Sequence, residues 1–410
     1  MRVYISTIVW GASYVRNFLE YSLPTMLSDG NLPALPDLDQ VKYMIGTTPN
    51  DEVQMRASEV FRKLESIIDV EVFHIDHHFS RNKYQTVSRC QSECINRSRD
   101  ADVIFFAYPD FVWGDGSLRN AATTMAQGHD GFFCQVPMLR EENIDNVYAE
   151  IEAHQADGVD DPLRQRTKLT VSCRELVRRV IEDPNPLMTA YRVDGGYFTS
   201  WPVCIYWTVP EQGWLMRGFH IHPVALRVQH ENPYFFFPFD ISLDEEFAAS
   251  ILPTGARVYV PTDSDEFAVC SLREDSDSHP LMPGGPNVDF IARDAEFFAA
   301  PLHRDIALRN YRWHPGDIDE AAWVPATEAA EALIGEVLER LKLGDSELIA
   351  RDVKAFNYRV DQRRRRAKWD RNTIGLRGFN WRKFLDENAP DDAPVETFSL
   401  RAAWRRFVTG

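Results

Sequence analysis

Short apolar runs alternate with stretches of helical hydrophobic spacing along the first 140 residues of the chain. The runs at 3–9, 41–45, 70–75, 102–110 and 131–138 are rich in β-branched and aromatic residues and predict strands. Between them, apolar residues recur at helical spacing, as at Val15, Phe18, Leu19, Leu23 and Met26. This alternation predicts an α/β fold with a mainly parallel, Rossmann-like sheet covered on both faces.

The pattern changes after residue 140. Residues 143–190 have helical spacing, 197–270 contain a mixed set of strand-like runs, and 274–287 have the composition of a loop. A helix is predicted at 327–343, followed by a basic, helical extension. We therefore predict one α/β unit at 1–273 and a mostly helical region with a basic tail at 274–410.

Charge narrows the class of protein. A chain of 410 residues buries a large core, and its net charge of −17 argues against nucleic acid as the main partner. Residues 351–410 hold 15 Lys and Arg against 8 Asp and Glu, so this tail carries +7 and the rest carries −24. The basic run 363–366 either folds back on the acidic body or makes a peripheral contact with an anionic membrane surface.

Targeting signals and cysteine pairs are not recognisable in the sequence. The amino terminus lacks the pattern of a signal peptide, and no run reaches the roughly 18 apolar residues of a membrane span. The six cysteines form no CxxC pair, which predicts free thiols in a reducing compartment. We expect a cytoplasmic protein.

Two carboxylates follow the most apolar strand. Asp110 comes at the end of the run 102–110, where open α/β sheets hold their ligands. Asp115 lies across a Gly-containing turn, so the two side chains could share a divalent cation. The alternative for Asp115 is a turn residue that caps the next helix.

Two further groups carry candidate chemistry. His220 and His222 would share one face of a strand and could contact a metal ion or a phosphate. Asp263 and Asp265 would also share a face, and their mutual repulsion favours a nearby cation unless the segment is a solvated acidic turn.

One histidine-rich segment is interpreted as a polar turn. His74, Asp76, His77 and His78 have the composition of a metal site, but no carboxylate cluster near them in sequence completes it. The sequence also lacks GxGxxG, Walker, GxSxG and HExxH motifs, which argues against dinucleotide enzymes, P-loop enzymes, serine hydrolases and zincins.

The order of these segments carries a resemblance. The segment 6–11 ends the first strand, Thr47-Thr-Pro-Asn-Asp51 follows the second, and the run that ends at Asp110 precedes His220-Ile-His222. Over residues 1 to 270 this layout resembles the GT-A-type glycosyltransferases, which use nucleotide-diphosphate sugars. The resemblance implies a nucleotide-sugar-binding catalytic domain at 1–273.

The resemblance also implies roles for individual residues. Donor contacts would come from a set at the strand ends, namely Thr7, Val9, Trp10, Thr47, Asp110 and His220. A divalent cation, Mn²⁺ or Mg²⁺, would lie near Asp110, Asp115 and His222 and neutralise the leaving nucleotide diphosphate. A general base for the acceptor hydroxyl would be Asp263 or Asp265, with Asp240 behind them.

The resulting prediction is a glycosyltransferase of polysaccharide biosynthesis, or one that modifies a glycan, lipid or protein acceptor. The alternative is a non-catalytic sugar-nucleotide-binding or scaffolding protein, because Tyr108 stands where a strict Asp-x-Asp motif would begin. A nucleotidyltransferase is a third possibility, but the first strand is followed by Trp10-Gly-Ala-Ser and not by a Gly/Arg-rich, Lys-containing loop.

Overall fold

The computed structural model describes residues 1–340 apart from several gaps. The described ranges are 1–80, 83–155, 167–199, 204–218, 221–236, 243, 252, 255–275, 281–288, 291–292 and 306–340. The predicted helical extension and basic tail therefore lie outside the described residues, apart from a helix that ends at Arg340.

The strands of the described ranges begin and end as follows. They are β1 (Val3–Ile8), β2 (Val41–Thr47), β3 (Asp69–His74), β4 (Val103–Phe106), β5 (Phe111–Trp113), β6 (Gly131–Cys134), β7 (Met138–Arg140), β8 (Tyr197–Thr199), β9 (Ile205–Val209), β10 (Gly213–Arg217), β11 (His222–Arg227), β12 (Val258–Tyr259), β13 (Val269–Arg273), β14 (Leu281–Pro283) and β15 (Tyr311–Trp313).

The α-helices of the same ranges begin and end as follows. They are α1 (Ala12–Asn17), α2 (Leu23–Met26), α3 (Pro49–Ala57), α4 (Glu59–Glu65), α5 (Lys83–Arg97), α6 (Ser117–Ala126), α7 (Ile144–Gln155), α8 (Cys173–Glu182), α9 (Pro186–Thr189) and α10 (Glu320–Arg340).

The central sheet is mainly parallel, as predicted. In the described part of the chain it contains seven strands in the order β12-β6-β11-β4-β1-β2-β3. Strands β1 to β4 pair in parallel, and β12 pairs in parallel with β6. Strand β11 is inserted antiparallel between β4 and β6, so its amino end lies at the edge where β4 and β6 have their carboxyl ends.

Hydrophobic cores cover both faces of this sheet. Alternate residues of β1 belong to different cores: Ile5 packs with the helices at 12–26 and with α6, whereas Tyr4 packs with residues of α5 such as Cys94. This division follows from the two-residue period of a strand. The predicted stripe Val15, Phe18, Leu19, Leu23 and Met26 is buried throughout.

One predicted helix is divided in two. The helical spacing of Val53, Ala57, Val60, Phe61 and Leu64 predicts one continuous helix with a single buried stripe. Ser58 instead ends α3 and caps α4 with its hydroxyl, which accepts a hydrogen bond from the Phe61 amide at 3.5 Å. The break changes the buried face, so Val53 is 72% exposed and Met55 is buried in its place. Only the second half of the predicted stripe lies in the core.

Smaller sheets connect distant parts of the chain. Strand β10 pairs antiparallel with β9 and with β15, and β8 pairs with β14. Strand β13 lies between β5 and β7. Strands on both sides of residue 273 therefore pair with each other, while the division into 1–273 and 274–410 stays a prediction.

Two further features are visible in the described residues. None of the described helices is long and apolar enough to span a bilayer. All six cysteines are buried as free thiols, in agreement with the absence of CxxC pairs.

Candidate functional site

A cavity of about 220 Å³ opens at the carboxyl edge of the central sheet. Its volume corresponds to roughly seven water molecules in the liquid, which is enough for a diphosphate-sized group. The lining includes residues from β1, the segment after β4, the segment after β6, α5 and the ends of β11 and β13. This is the edge at which α/β sheets hold their ligands.

Asp110 contributes its carboxylate to this cavity. The chain leaves β4 at Phe106, turns through Pro109 and enters β5 at Phe111, so Asp110 lies at the junction of two sheets. The Asp110 carbonyl oxygen accepts a hydrogen bond of 2.8 Å from the Leu272 amide, which fixes the backbone beside β13. Asp110 is only 4% exposed, so its charge acts in a poorly solvated environment.

His222 lines the same cavity. It begins β11 opposite Cys134 of β6, and the antiparallel direction of β11 brings this amino end to the ligand-binding edge. Its ring packs edge-on against Tyr108 and Phe111, with centroid distances of 4.6 and 5.1 Å. Asp110 and His222 were both predicted from sequence, and the fold brings them to one cavity. His220 lies outside the described residues.

Two cationic side chains join Asp110 in the lining. Arg273 ends β13 and places Nη2 3.9 Å from Oδ2 of Asp110, and Lys83 begins α5. All three charges affect the pKa of the Tyr14 phenol. Burial and the Asp110 carboxylate raise this pKa, whereas Lys83 and Arg273 lower it, and the net effect is an increase. The tyrosine therefore stays protonated and can donate a hydrogen bond to an anion in the cavity.

The face of β1 that meets the cavity differs by one residue from the prediction. Ser6, Ile8 and Trp10 line the cavity. Thr7 and Val9 alternate to the other face, where Val9 is completely buried in the core. Trp10 thus lies at the cavity, and its contact with a donor stays a prediction, whereas Thr7 and Val9 face away from the cavity.

Thr7 and Thr47 both lie in the interior. The Thr7 hydroxyl is hydrogen bonded to the Tyr43 hydroxyl at 2.7 Å, and Thr47 is fully buried at the end of β2. Neither residue lines the cavity. The prediction that they contact the donor is corrected for this reason, since a strand end close to the cavity does not direct every side chain into it.

Asp115 has a structural partner away from the cavity. Its Oδ1 accepts a hydrogen bond of 2.8 Å from the Gly30 amide, and its own amide donates to the Val171 carbonyl at 2.6 Å. A Cβ on Gly30 would lie 2.5 Å from Asp115 Oδ2, so a side chain at residue 30 would require the Asp115 carboxylate to move. Asp115 does not join Asp110 at a shared cation, and the predicted pair is corrected.

The predicted general bases belong to a separate network. Asp263 accepts a hydrogen bond from Nε2 of His314 at 2.7 Å and lies 3.6 Å from Arg312. Asp265 makes a bidentate pair with Arg174, whose Nε and Nη2 lie 2.9 and 2.7 Å from the carboxylate oxygens. The two aspartates are not part of the cavity lining.

The prediction that Asp263 and Asp265 share one face of a strand is wrong. Asp263 makes an isolated bridge to Arg312, and residues 264–266 form a turn, not a strand. Asp240 lies outside the described residues and stays a prediction.

The sequence did not predict three of the lining residues, namely Lys83, Arg273 and Tyr14. Lys83 starts α5 and Arg273 ends β13, so their positions at the ends of these elements were the available signal. Nothing in the sequence shows that β13 pairs with β5, which is what brings Arg273 to Asp110.

A divalent cation fits this lining only with help from a ligand. Among the described lining residues, Asp110 alone carries a carboxylate, and His222 adds an imidazole. One carboxylate together with donor phosphates and water is a common way to hold Mg²⁺ or Mn²⁺. The residues present therefore fit a cation that arrives with a phosphorylated donor.

No protein-family model matches the sequence, and no curated protein matches it either. Comparison with solved structures gives several similar folds. TarS from S. aureus is 10% identical with a TM-score of 0.33, and the match covers 84% of this chain and 44% of TarS. The chain thus spans less than half the length of that protein.

Two other similar structures contain bound nucleotides and Mn²⁺. The mannosyltransferase PcManGT from Pyrobaculum calidifontis, in complex with GDP-Man and Mn²⁺, is 11% identical, and the match covers 92% of this chain and 84% of that one with a TM-score of 0.32. GalNAc-T7 with UDP, GalNAc and Mn²⁺ is 9% identical, with coverages of 83% and 58% and a TM-score of 0.39. At these identities and TM-scores the matches assign no activity, donor or metal to this chain.

Proposed function

We propose that the protein is a glycosyltransferase that moves a sugar from a nucleotide-diphosphate donor to a glycan, lipid or protein acceptor. The observation that carries the proposal is the meeting of Asp110, His222, Lys83 and Arg273 in one cavity at the carboxyl edge of the sheet. A polysaccharide acceptor and a cytoplasmic location belong to the same proposal.

The charge of the lining supports an anionic ligand. Lys83 and Arg273 bring two positive charges against the single negative charge of Asp110. Charged hydrogen bonds to phosphate oxygens are about twice as strong as neutral ones, and arginine can bind a phosphate with two nitrogens. In this proposal the two cations hold the diphosphate, and Tyr14 donates a further hydrogen bond.

The donor's leaving group would be stabilised at the same place. As the bond between sugar and diphosphate breaks, negative charge grows on the diphosphate, and fixed cations next to it stabilise that charge without reorganising. A cation held by Asp110 and the donor phosphates would supply further charge neutralisation when bound. Asp110 and His222 would hold this cation together with the donor phosphates. Trp10, which also lines the cavity, offers an aromatic face to the base or the sugar.

The second candidate function is a sugar-nucleotide-binding protein without catalysis. Its support is the absence of a second carboxylate among the described lining residues, because an inverting transfer needs a general base beside the acceptor hydroxyl. Asp240 remains the predicted base.

A two-stage experiment separates the candidates. In the first stage, thermal unfolding is measured with a panel of nucleoside diphosphates, with and without Mn²⁺, and we expect one nucleotide to raise Tm. In the second stage, hydrolysis of the corresponding sugar donor is measured for the wild type and for Asp110→Asn. We expect Asp110→Asn to lower hydrolysis roughly 100-fold with circular dichroism unchanged.

The control is Asp265→Asn, which removes a surface carboxylate paired with Arg174 and should keep most of the activity. Stabilisation without any hydrolysis favours the binding protein. The proposed function is overturned if no nucleotide in the panel raises Tm. It is also overturned if Asp110→Asn hydrolyses the donor as fast as the wild type.

A further inference from the structure

Two histidines that follow β3 meet a glutamate from α5. His77 and His78 lie in a 3-10 turn at Asp76–His78, and Glu93 lies in the third turn of α5. Nε2 of His77 is 3.4 Å from Oε2 of Glu93, and Nε2 of His78 is hydrogen bonded to the same oxygen. One ligand atom from each of the three residues lies within 4.8 Å of the others. The sequence reasoning missed this group because Glu93 is distant along the chain.

The spacing of these atoms suits a small tetrahedral ion. Zinc binds imidazole nitrogen and carboxylate oxygen at about 2.0–2.2 Å, which separates neighbouring ligand atoms by roughly 3.4 Å. The His77–Glu93 distance already has this value. The His78–Glu93 hydrogen bond has to lengthen, and rotation of the imidazole about its side-chain bonds provides this change.

The carboxylate is oriented from behind by an arginine. Nε and Nη2 of Arg97 donate to Oε1 of Glu93 at 2.9 and 2.6 Å, while Oε2 points to the two imidazoles. Arg97 is itself fixed by Glu71, whose Oε1 accepts from Nη1 at 2.7 Å. Metal ligands in proteins are commonly held by such an outer layer of hydrogen bonds.

A second group of similar composition does not have this arrangement. Asp263, Asp265 and His314 also lie close together, but Arg174 forms a bidentate pair with Asp265 and Arg312 lies beside Asp263. Arg174 thereby donates to both carboxylate oxygens of Asp265, which leaves neither oxygen for an ion. At Glu93 the oxygen between the imidazoles is not shared with the arginine.

We propose that His77, His78 and Glu93 bind one divalent transition ion of the zinc class, with water as the fourth ligand. Two imidazoles and a carboxylate favour Zn²⁺ over Mg²⁺, which prefers oxygen ligands only. His77 is 63% exposed on its side chain, so an ion has access from solvent.

The bound ion joins the turn after β3 to α5. Phe79 follows the two histidines and packs against Trp10 at a ring distance of 5.9 Å, and α5 contributes Lys83 and Gln91 to the cavity. The ion therefore fixes two parts of the cavity wall relative to each other. This site does not depend on the proposed function, because its residues are not those that would hold the donor.

The test uses the full-length chain without a histidine tag. Zn²⁺ binding is measured by calorimetry, and Co²⁺ serves as a spectroscopic probe whose visible absorption reports a tetrahedral site. We expect one ion per chain. His77→Ala and Glu93→Gln should each raise Kd roughly 100-fold or more, since loss of an outer-layer partner alone costs 10–100-fold.

His74→Ala is the matched control, because His74 is a histidine of the same segment that contacts Glu52 at 2.8 Å and not Glu93. It should leave Kd unchanged, and so should Asp110→Asn. Because His77 is exposed, His77→Ala should fold like the wild type, and circular dichroism checks this directly. The proposal is overturned if the wild type binds no Zn²⁺, if both site variants bind normally, or if Asp110→Asn abolishes binding.

Discussion

Three charged side chains determine the electrostatic character of the cavity. Asp110 is buried, whereas Lys83 is exposed and Arg273 is about one-third exposed on its side chain. Arg273 lies 3.9 Å from the Asp110 carboxylate, and Lys83 lines the same cavity. In the proposed function both cations contact the phosphates of the donor. A ligand with more than one negative charge therefore strengthens their interactions.

We expect Lys83→Gln to weaken binding of the stabilising nucleoside diphosphate about 10-fold, because one charged hydrogen bond contributes at least ~1.5 kcal/mol. Calorimetry at low and high NaCl measures this, and the variant should also show a weaker salt dependence than the wild type. Lys63→Gln on α4 removes an exposed lysine outside the cavity and serves as the control. Equal affinities of wild type and Lys83→Gln would exclude a phosphate contact at this residue.

His314 is a buried histidine with acceptors at both ring nitrogens. Nε2 contacts the Asp263 carboxylate, and Nδ1 contacts the Gly316 carbonyl oxygen, so the doubly protonated ring satisfies both partners. Burial lowers the pKa of His314. The hydrogen bonds to Asp263 and to the Gly316 carbonyl oxygen act in the opposite direction, and the net effect is a raised pKa. The pKa of Asp263 moves the other way: burial raises it, and the hydrogen bond from His314 leaves it lowered.

These directions determine the sign of the pH dependence. The stability that His314 contributes is complete below its unfolded pKa near 6.5 and is lost as pH rises through the raised folded value. The contribution of Asp263 is complete above about pH 4 and is lost as pH falls through the lowered folded value. The pair therefore stabilises most between roughly pH 4 and pH 6.5.

His314→Gln should lower the free energy of unfolding by about 2 kcal/mol at pH 6 and by clearly less at pH 9. Urea unfolding at the two pH values measures the difference. A double-mutant cycle with Asp263→Asn should give a coupling energy that shrinks over the same interval. The same loss at both pH values would mean that the neutral ring makes the same interaction.

At the scale of elements, the sheet β9-β10-β15 depends on a close backbone approach. Gly213 opens β10 with a φ of 136°, and a Cβ there would lie 2.1 Å from the Trp313 carbonyl oxygen of β15. The neighbouring residue Trp214 pairs directly with Trp313. A side chain at Gly213 would therefore separate two paired strands.

We expect Gly213→Ala to destabilise the protein by about 3 kcal/mol, from the left-handed backbone and the overlap together. Gly335→Ala is the matched control, because Gly335 lies within α10 with open space where the Cβ would be. Alanine should stabilise that helix by ~0.5–1 kcal/mol. Chemical unfolding of both variants measures the contrast, and a neutral Gly213→Ala would show that β15 does not approach this closely.

Hydrophobic periodicity predicted where helices and strands occur better than it predicted which of their faces is buried. It found the helical segment at 12–26 with its buried residues, because a helix that covers a sheet must be apolar on one side. It failed at Ser58, where a single hydroxyl caps a new helix and resets the face. In β1 it placed the strand correctly but took Thr7 and Val9, the wrong alternate positions, as the ligand-facing ones.

At the scale of the whole molecule, local reasoning finds a ligand edge but not its full lining. Asp110 could be predicted because the carboxyl ends of parallel strands gather at one edge, and His222 was predicted from its spacing to His220. Arg273 could not, since its position follows from pairing of β13 with β5 across more than 150 residues. Asp263 and Asp265 were predicted from a shared strand face and from their mutual repulsion, and their arginine and histidine partners offset that repulsion without a bound cation.

Long-range pairing also joins the two halves of the described chain. Strand β15 pairs with β10, and α10 contributes Trp323, Ile334 and Val337 to a core that contains Trp207 and Leu215. Neither part buries this apolar surface without the other. Removal of either part would expose several large side chains, each of which contributes about 1.5–3 kcal/mol when buried.

We therefore expect residues 205–217 and 306–340 to unfold together. Far-UV circular dichroism and tryptophan fluorescence should give coincident urea transitions, because coincidence of independent probes is the sign of a cooperative unit. Gly213→Ala should move both midpoints to lower urea by the same amount. Two separated transitions, of which only one shifts in Gly213→Ala, would show instead that the carboxyl-terminal strand and helix form a unit of their own, and the predicted division near residue 273 would then be a thermodynamic boundary as well.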